Sequence, residues 1–298
     1  MTIPTNAITT NEHKLVSVSA LGYIATPKLP GLPAEPYRLA ADGTPFLLPT
    51  YGSIVYNVSV GNSAFGWAAD CVHPGVSLHY PDDNGNRGLG ILSCIGNSVT
   101  CVSGDAKGQT GVVTGKSGRF SEHVIVHFPK QTRENMAIGD KFVVKTLGIG
   151  MEIEGHPNVR LKSCSPVLLA ALAPAVNASK QLEIPVRAVI PAHLMGAGAG
   201  LSSDQGSIHV QTADQNAVRE AGLDTLRLGD VVAIEHYDSR YNHGYLRGAV
   251  SIAVVGQGDS PRAGYGPGLT VIMTGTDDAI APAIQDDVNL HGLLKLEP

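Results

Sequence analysis

Imidazole, carboxylate and guanidinium groups crowd into one short stretch of this chain, Glu235-His236-Tyr237-Asp238-Ser239-Arg240-Tyr241-Asn242-His243, directly after a very apolar run. His236 and Asp238 are two positions apart, so on a continuing strand both face the same way. An imidazole beside a carboxylate is the start of a divalent metal site, with zinc or manganese as the expected ion. Against that stands a plain turn in which Arg240 pairs with Asp238 through charge-assisted hydrogen bonds. His209, which shares a strand face with Gln211, supplies the third expected ligand. Just before it, the Gly-rich segment Met195-Gly196-Ala197-Gly198-Ala199-Gly200 gives a bend whose backbone can pack against a flat ligand. It has neither the Lys-Ser/Thr nor the long helix of a phosphate cradle.

Two further histidines complete the candidate set. His73 precedes Pro74, which holds it extended, and His123 shares a strand face with His127. With His209, His236 and Asp238 as metal ligands, His73 or His123 is expected to complete the shell or to act as acid and base. Arg240 is the expected anchor for a substrate carboxylate or a developing oxyanion, and Gly196, Gly198 and Tyr241 line the substrate. The chemistry this set would perform is metal-assisted hydrolysis of a small amide-like or cyclic substrate, of the lactam or hydantoin type, at a non-peptide C–N or C–S bond. Two other readings compete with it. One is a non-catalytic small-molecule-binding or assembly protein whose histidines only line a pocket. The other is a metal-free isomerase or lyase with Cys71 or His73 as base. No serine sits in a Gly-x-Ser-x-Gly elbow.

The elements that must carry these residues are mostly strands. Short β-branched runs separated by Gly or Asp recur at 53–60, 111–114, 123–128 and 141–146, and again at 182–190, 207–212, 230–235, 249–255 and 269–274. Helix signals are few: Ser165-Pro166 before an apolar run, and a short segment between Asp214 and Gly222. The stretch 280–294 is expected to add a turn or two of helix. Met136-Ala137-Ile138-Gly139-Asp140-Lys141 is echoed by Leu226-Arg227-Leu228-Gly229-Asp230-Val231, each a Gly-Asp corner feeding a strand. The expected architecture is mainly β, with two barrel-like or sandwich modules over 1–160 and 161–298 and a few short helices.

Composition narrows the partners. The chain has 298 residues, a net charge of −5 and 21 scattered Lys and Arg, with no basic stripe to follow a nucleic-acid backbone. No apolar stretch is long enough to span a bilayer, and no basic and apolar leader opens the chain, so a cytoplasmic protein with four free thiols is expected. Only 16% of residues are charged, which points to subunit surfaces buried in a homo-oligomer. The partner is then a small molecule.

The segments Ala106-Lys107-Gly108-Gln109-Thr110-Gly111-Val112-Val113-Thr114-Gly115-Lys116, Glu122-His123-Val124 and Ile138-Gly139-Asp140 resemble a prokaryotic domain-of-unknown-function family. Met195-Gly196-Ala197-Gly198, Gly229-Asp230-Val231-Val232-Ala233-Ile234, Asp238-Ser239-Arg240-Tyr241 and Gly264-Tyr265-Gly266-Pro267-Gly268 extend the resemblance over most of the chain. It implies a two-part, mostly β protein with barrels similar to the cyclophilin type. It implies no activity and assigns no site residue.

Overall fold

A computed structural model describes residues 8–27, 37–118, 122–204 and 206–298. In the first half, β1 (Val18–Ile24), β4 (Val76–His79), β5 (Ser98–Cys101), β6 (Thr110–Ser117), β7 (His123–His127) and β8 (Lys141–Thr146) close into a barrel in the order β1-β4-β7-β6-β5-β8. Two short strands, β2 (Arg38–Leu39) and β3 (Pro45–Phe46), pair with each other outside it. Inward side chains fill the barrel, including Val76, Leu78, Val99, Val113, Val124, Val126 and Val144, with Phe128 edge-on to Phe142 at 5.5 Å.

The second half is built on an open sheet. In it β12 (Ala188–Ile190), β14 (Val231–Asp238), β15 (Gly244–Gln257), β16 (Gly268–Gly275) and β13 (Ile208–His209) lie in the order β12-β14-β15-β16-β13, and β9 (Val159–Leu161) also pairs with β16. A smaller sheet orders β10 (Ala175–Val176), β11 (Leu182–Val186) and β17 (Ile280–Ile284). The large sheet is covered on both faces. Val231 and Ala233 join Ile252 and Val254 in one apolar cluster, while Val232 and Ile234 join Ala253 and Val255 in the other. Side chains alternate faces along a strand, so a strand buried twice reads as an unbroken apolar run.

The Gly-Asp echo is one local device used twice. In each copy the glycine has positive φ, +92° at Gly139 and +88° at Gly229. The aspartate then accepts the backbone N–H three residues back: Asp140 from Ala137 at 2.8 Å and Asp230 from Arg227 at 2.7 Å. A carboxylate that satisfies the turn's own amide fixes the corner from which β8 and β14 start. The helix signals have equally local causes. Ser165 Oγ accepts the Leu168 N–H at 3.1 Å to cap α3 (Pro166–Leu172), and Asp214 caps α4 (Gln215–Glu220). The stretch 280–294 contributes β17 and then a single helical turn, α5 (Leu290–Leu293).

Two segments differ from the sequence reading. Residues 53–60 are not a strand but a looped segment with one bridge, Ile54 to Val76. Its carbonyl groups are claimed from outside: the buried Arg133, on the turn α2 (Lys130–Arg133), donates through Nη1 to Val55 O and Val58 O and through Nη2 to Ser59 Oγ. The second is α1 (Asp83–Leu92), a helix begun by Asp82, whose side chain accepts the Gly85 N–H at 2.8 Å. Its three glycines hide it from propensity.

The two halves share backbone. Gly115 on β6 approaches Gly256 on β15 so closely that a Cβ added at Gly115 would lie 3.3 Å from Gly256 Cα. Beside this contact Thr270 Oγ1 on β16 accepts the Lys116 N–H at 2.9 Å and donates to Lys116 O at 3.2 Å. At the far end of the chain, Glu297 O receives a 2.7 Å bond from His127 Nε2, back on the barrel. No helix among the described residues is long and apolar enough to cross a membrane.

Replacing Arg133 with Met roughly keeps the volume but strands the buried Val58 carbonyl and the half-buried Val55 carbonyl, so R133M should lose about 2–4 kcal/mol of unfolding free energy. Urea denaturation measures this, and R133K should recover part of it.

Candidate functional site

A cavity of about 480 Å³ opens at the seam between the barrel and the large sheet. The first half contributes Tyr51, Cys71 and Glu122 to its wall, and the second contributes Gly198, His209, Arg262 and Tyr265, among others. Each side chain is placed by a local feature. Cys71 has φ +56° and is held there by its N–H bond to Asp259 O at 2.9 Å, a left-handed conformation that a cysteine adopts only when its surroundings impose it. His209 sits at the end of β13, opposite Gly268 of β16. Gly198 has φ +104°, and a Cβ there would strike Ser207 O, so the loop can lie flat against β13 only as glycine. Gly196 donates its N–H to His209 O at 2.8 Å, which fixes the same loop from its other end.

Arg262 is the charged centre of the wall. Its guanidinium lies over the Tyr265 ring at 3.7 Å, and its Nε reaches Asp70 Oδ1 at 3.3 Å. Nη2 is 3.7 Å from Cys71 Sγ. Asp70 is buried and accepts a second bond at 2.6 Å from Ser260 Oγ, so the ion pair is anchored in both halves. Behind the wall, Tyr51 stacks on His73 with centroids 5.7 Å apart and tilts against His123 at the same distance. His73 Nδ1 is 2.7 Å from Ser77 Oγ, and its Nε2 is 3.4 Å from the amide of Gln257, which lines the cavity.

Burial divides the protonation states. His209 Nδ1 lies 2.9 Å from Gly266 O. A carbonyl only accepts, so Nδ1 carries the proton and Nε2 is left as a lone pair. Desolvation pushes His209 down to about 4, only partly offset by that carbonyl bond, and the charge of Arg262 lowers it further. Burial likewise holds His73 well below the usual histidine range, with His123 and His209 adding to the effect. The opposite holds for the acids. Desolvation raises the Cys71 thiol to about 12, with Asp70 adding to it, and raises the Tyr51 phenol to about 12, with Glu122 adding to it. At neutral pH the cavity therefore sets two protonated weak acids from the first half against an unprotonated imidazole from the second.

Of the residues singled out from sequence, the structure gathers His73, His123, His209 and Gly198 at or just behind this one cavity, with Gly196 supporting it. It places the 236–241 group elsewhere. His209 pairs with Gly268 at one end of β16, whereas Ser239 is bonded at 3.2 Å to Thr274 near the other end. Six residues of strand separate those points by about 20 Å. His236 is exposed at a bulge with φ +54°, and its Nδ1 accepts the Gly248 N–H at 3.1 Å. Both oxygens of Asp238 are engaged by Arg240, from Nε at 3.0 and 3.1 Å and from Nη2 at 3.0 Å, which is the turn pairing weighed against a metal site. Arg240 and Tyr241 border a separate cleft beside Lys162 and Asp204. His209, His236 and Asp238 thus do not share one coordination sphere, and among the described residues no group of three His, Cys, Asp or Glu is arranged to hold a metal ion.

Sequence reasoning passed over Arg262, Tyr265, Tyr51 and Glu122. The one available signal was position: Arg262 and Tyr265 stand in the loop that leaves the 14-residue strand β15, and polar residues on a loop held by a rigid strand are where sites form.

Family models for the N-terminal and C-terminal parts of a domain of unknown function, DUF4438, match residues 37–170 and 174–294. A solved structure described as the crystal structure of TM1086 is 39% identical, with a TM-score of 0.89 over 96% of this chain and 99% of that one. No curated protein matches the chain.

The depressed His209 has a signed consequence for stability. In the unfolded chain this imidazole takes up a proton near pH 6.5, whereas in the fold it does so only near pH 4. The unfolded state therefore binds more protons between these values. Stability is full above pH 6.5 and falls by about 3 kcal/mol by pH 4 on account of this group. Denaturation curves at pH 7.5 and 4.5 should show H209Q losing less stability on acidification than the parent protein.

Proposed function

Because the chain belongs to the DUF4438 family, whose description specifies no activity, we propose from its geometry that it is an enzyme of isomerase or lyase type. Its seam cavity moves a proton on a small polar molecule using side chains alone. The observation that carries this reading is geometric: His209 from the second half, its Nδ1 tied to Gly266 O, shares one cavity with the proton-bearing Tyr51 and Cys71 from the first. Paired groups whose environments drive their pKa values apart are the mark of assigned acid and base roles.

In this reading His209 Nε2 is the base. Its Nδ1–H bond to Gly266 O fixes the tautomer and the ring plane, much as an orienting acceptor does in other acid–base sites. A base with a pKa near 4 is weak at neutral pH, but its own substrate offsets part of this. Part of the depression comes from the positive charge of Arg262, so an anionic group bound to that guanidinium removes the repulsion and adds attraction for an imidazolium. Binding thus opposes one of the causes that lower His209, burial remaining the largest. Tyr51 and Cys71 are the proton donors, and His73, stacked under Tyr51, holds the phenol in place. Metal-assisted hydrolysis through His209, His236 and Asp238 is less well supported, since Asp238 is committed to Arg240 and lies on the far side of β16 from His209.

Incubation in D₂O with pooled small metabolites, followed by NMR, tests the proposal. One component should exchange a carbon-bound proton or be converted, and H209Q should slow this by about 100-fold or more. A component that binds without exchange or conversion identifies a binding protein instead, and turnover that appears only with added zinc or manganese returns the metal-hydrolase reading.

A further inference from the structure

The charges around the cavity specify its ligand further than the acid–base groups do. Arg262 comes from the second half and Glu122 from the first, and both lie on the wall. Both also act electrostatically on the Tyr51 hydroxyl, as does Arg38, and all four residues line the same cavity. Arg262 is held in a fixed plane by the Tyr265 ring, by Asp70 and by its approach to Cys71, while its Nη1 bonds to none of the described residues. An anchored guanidinium with part of its fork open is suited to a carboxylate. Glu122 is positioned by the turn at Gly118, whose φ of +89° brings the glutamate side chain so close that a Cβ at Gly118 would lie 2.6 Å from it.

Among the described residues at this wall, Arg38 and Arg262 are offset by Asp70, paired with Arg262, and by Glu122. A ligand that is only anionic would gain Arg262 but face Glu122 and the Asp70 carboxylate behind it. A ligand that is only cationic would gain Glu122 but face both arginines. A molecule with a carboxylate at one end and an ammonium at the other meets a complementary charge at each.

We propose that the seam cavity binds a small zwitterion of the amino-acid class, with its carboxylate on Arg262 and its ammonium group on Glu122. The inference rests on the seam cavity being the working site, and it deepens that reading by naming the substrate class. It also accounts for the wall opposite: the loop at Gly198 and its alanine neighbours offers backbone and methyl groups rather than further charge, so recognition is concentrated on the two ends of the ligand.

Titration calorimetry of the full chain with free D- and L-amino acids, their N-acetyl derivatives and their amides tests it. At least one free amino acid should bind, and acetylation of its amine or amidation of its carboxylate should each weaken binding by about tenfold or more. E122Q should erase the penalty for acetylation while leaving the penalty for amidation, and R262Q should do the reverse. If R262Q fails to fold, E122Q alone decides, because Glu122 is only half-buried and bears on the ligand from the opposite side. Equal binding of the acetylated or amidated forms, or no binding by any free amino acid, overturns the proposal. Its failure is separable from that of the catalytic reading: an amino acid bound without proton exchange refutes catalysis alone, and exchange on a molecule lacking either charge refutes the zwitterion alone.

Discussion

The contact of Gly115 with Gly256, locked by the two bonds between Thr270 and Lys116, is the constraint on which the molecule turns. Two backbones meet there with no side chains between them, so the last residues of β6 are pinned to the middle of a second sheet. That fixes the barrel's β6–β7 edge, with Gly118 and Glu122, opposite the β13 and β16 ends that carry His209. The cavity is the space left over by this docking. Its wall is drawn from both halves, and three of its pairings cross the seam: Arg262 with Asp70, Gln257 with His73, Ser260 with Asp70.

Such a seam is costly. Desolvating the imidazoles of His73 and His209 forfeits free energy that apolar residues in the same places would have kept. The left-handed backbone at Cys71 adds strain. Elsewhere the fold is locally consistent: capped helices, Gly-Asp corners and strands whose alternating residues fill two separate clusters. Several buried polar groups and a left-handed cysteine thus gather around one open volume, the kind of local departure that physical reasoning associates with functional sites.

What the sequence reveals depends on how far apart the interacting residues are. The Gly-Asp corners, the Ser165 cap and the twice-buried β14 are legible because a few neighbouring residues contain the whole cause. Residues 53–60 read as a strand because their side chains are β-branched, but the groups that bind their backbone sit on Arg133, more than seventy positions later. The same distinction runs through the site. His236, Asp238 and Arg240 drew notice by adjacency, and adjacency is satisfied by a local turn. His73, His123 and His209 are scattered in sequence, and only the closure of the barrel against the sheet brings them near one cavity. Arg262 and Glu122 are single charges in loops, and beyond the position of Arg262 just after β15 it is the docking of the halves that distinguishes them.

The short strand β9 belongs by position to the first half, within the segment that the N-terminal family model matches, yet it hydrogen-bonds along β16 of the second. The last residues of the chain return the exchange by binding His127 on the barrel. Each half therefore completes the other's hydrogen-bonding. Cutting the chain between its two parts would leave β16 without β9 and His127 without its carbonyl partner, so neither part keeps its full set of hydrogen bonds alone.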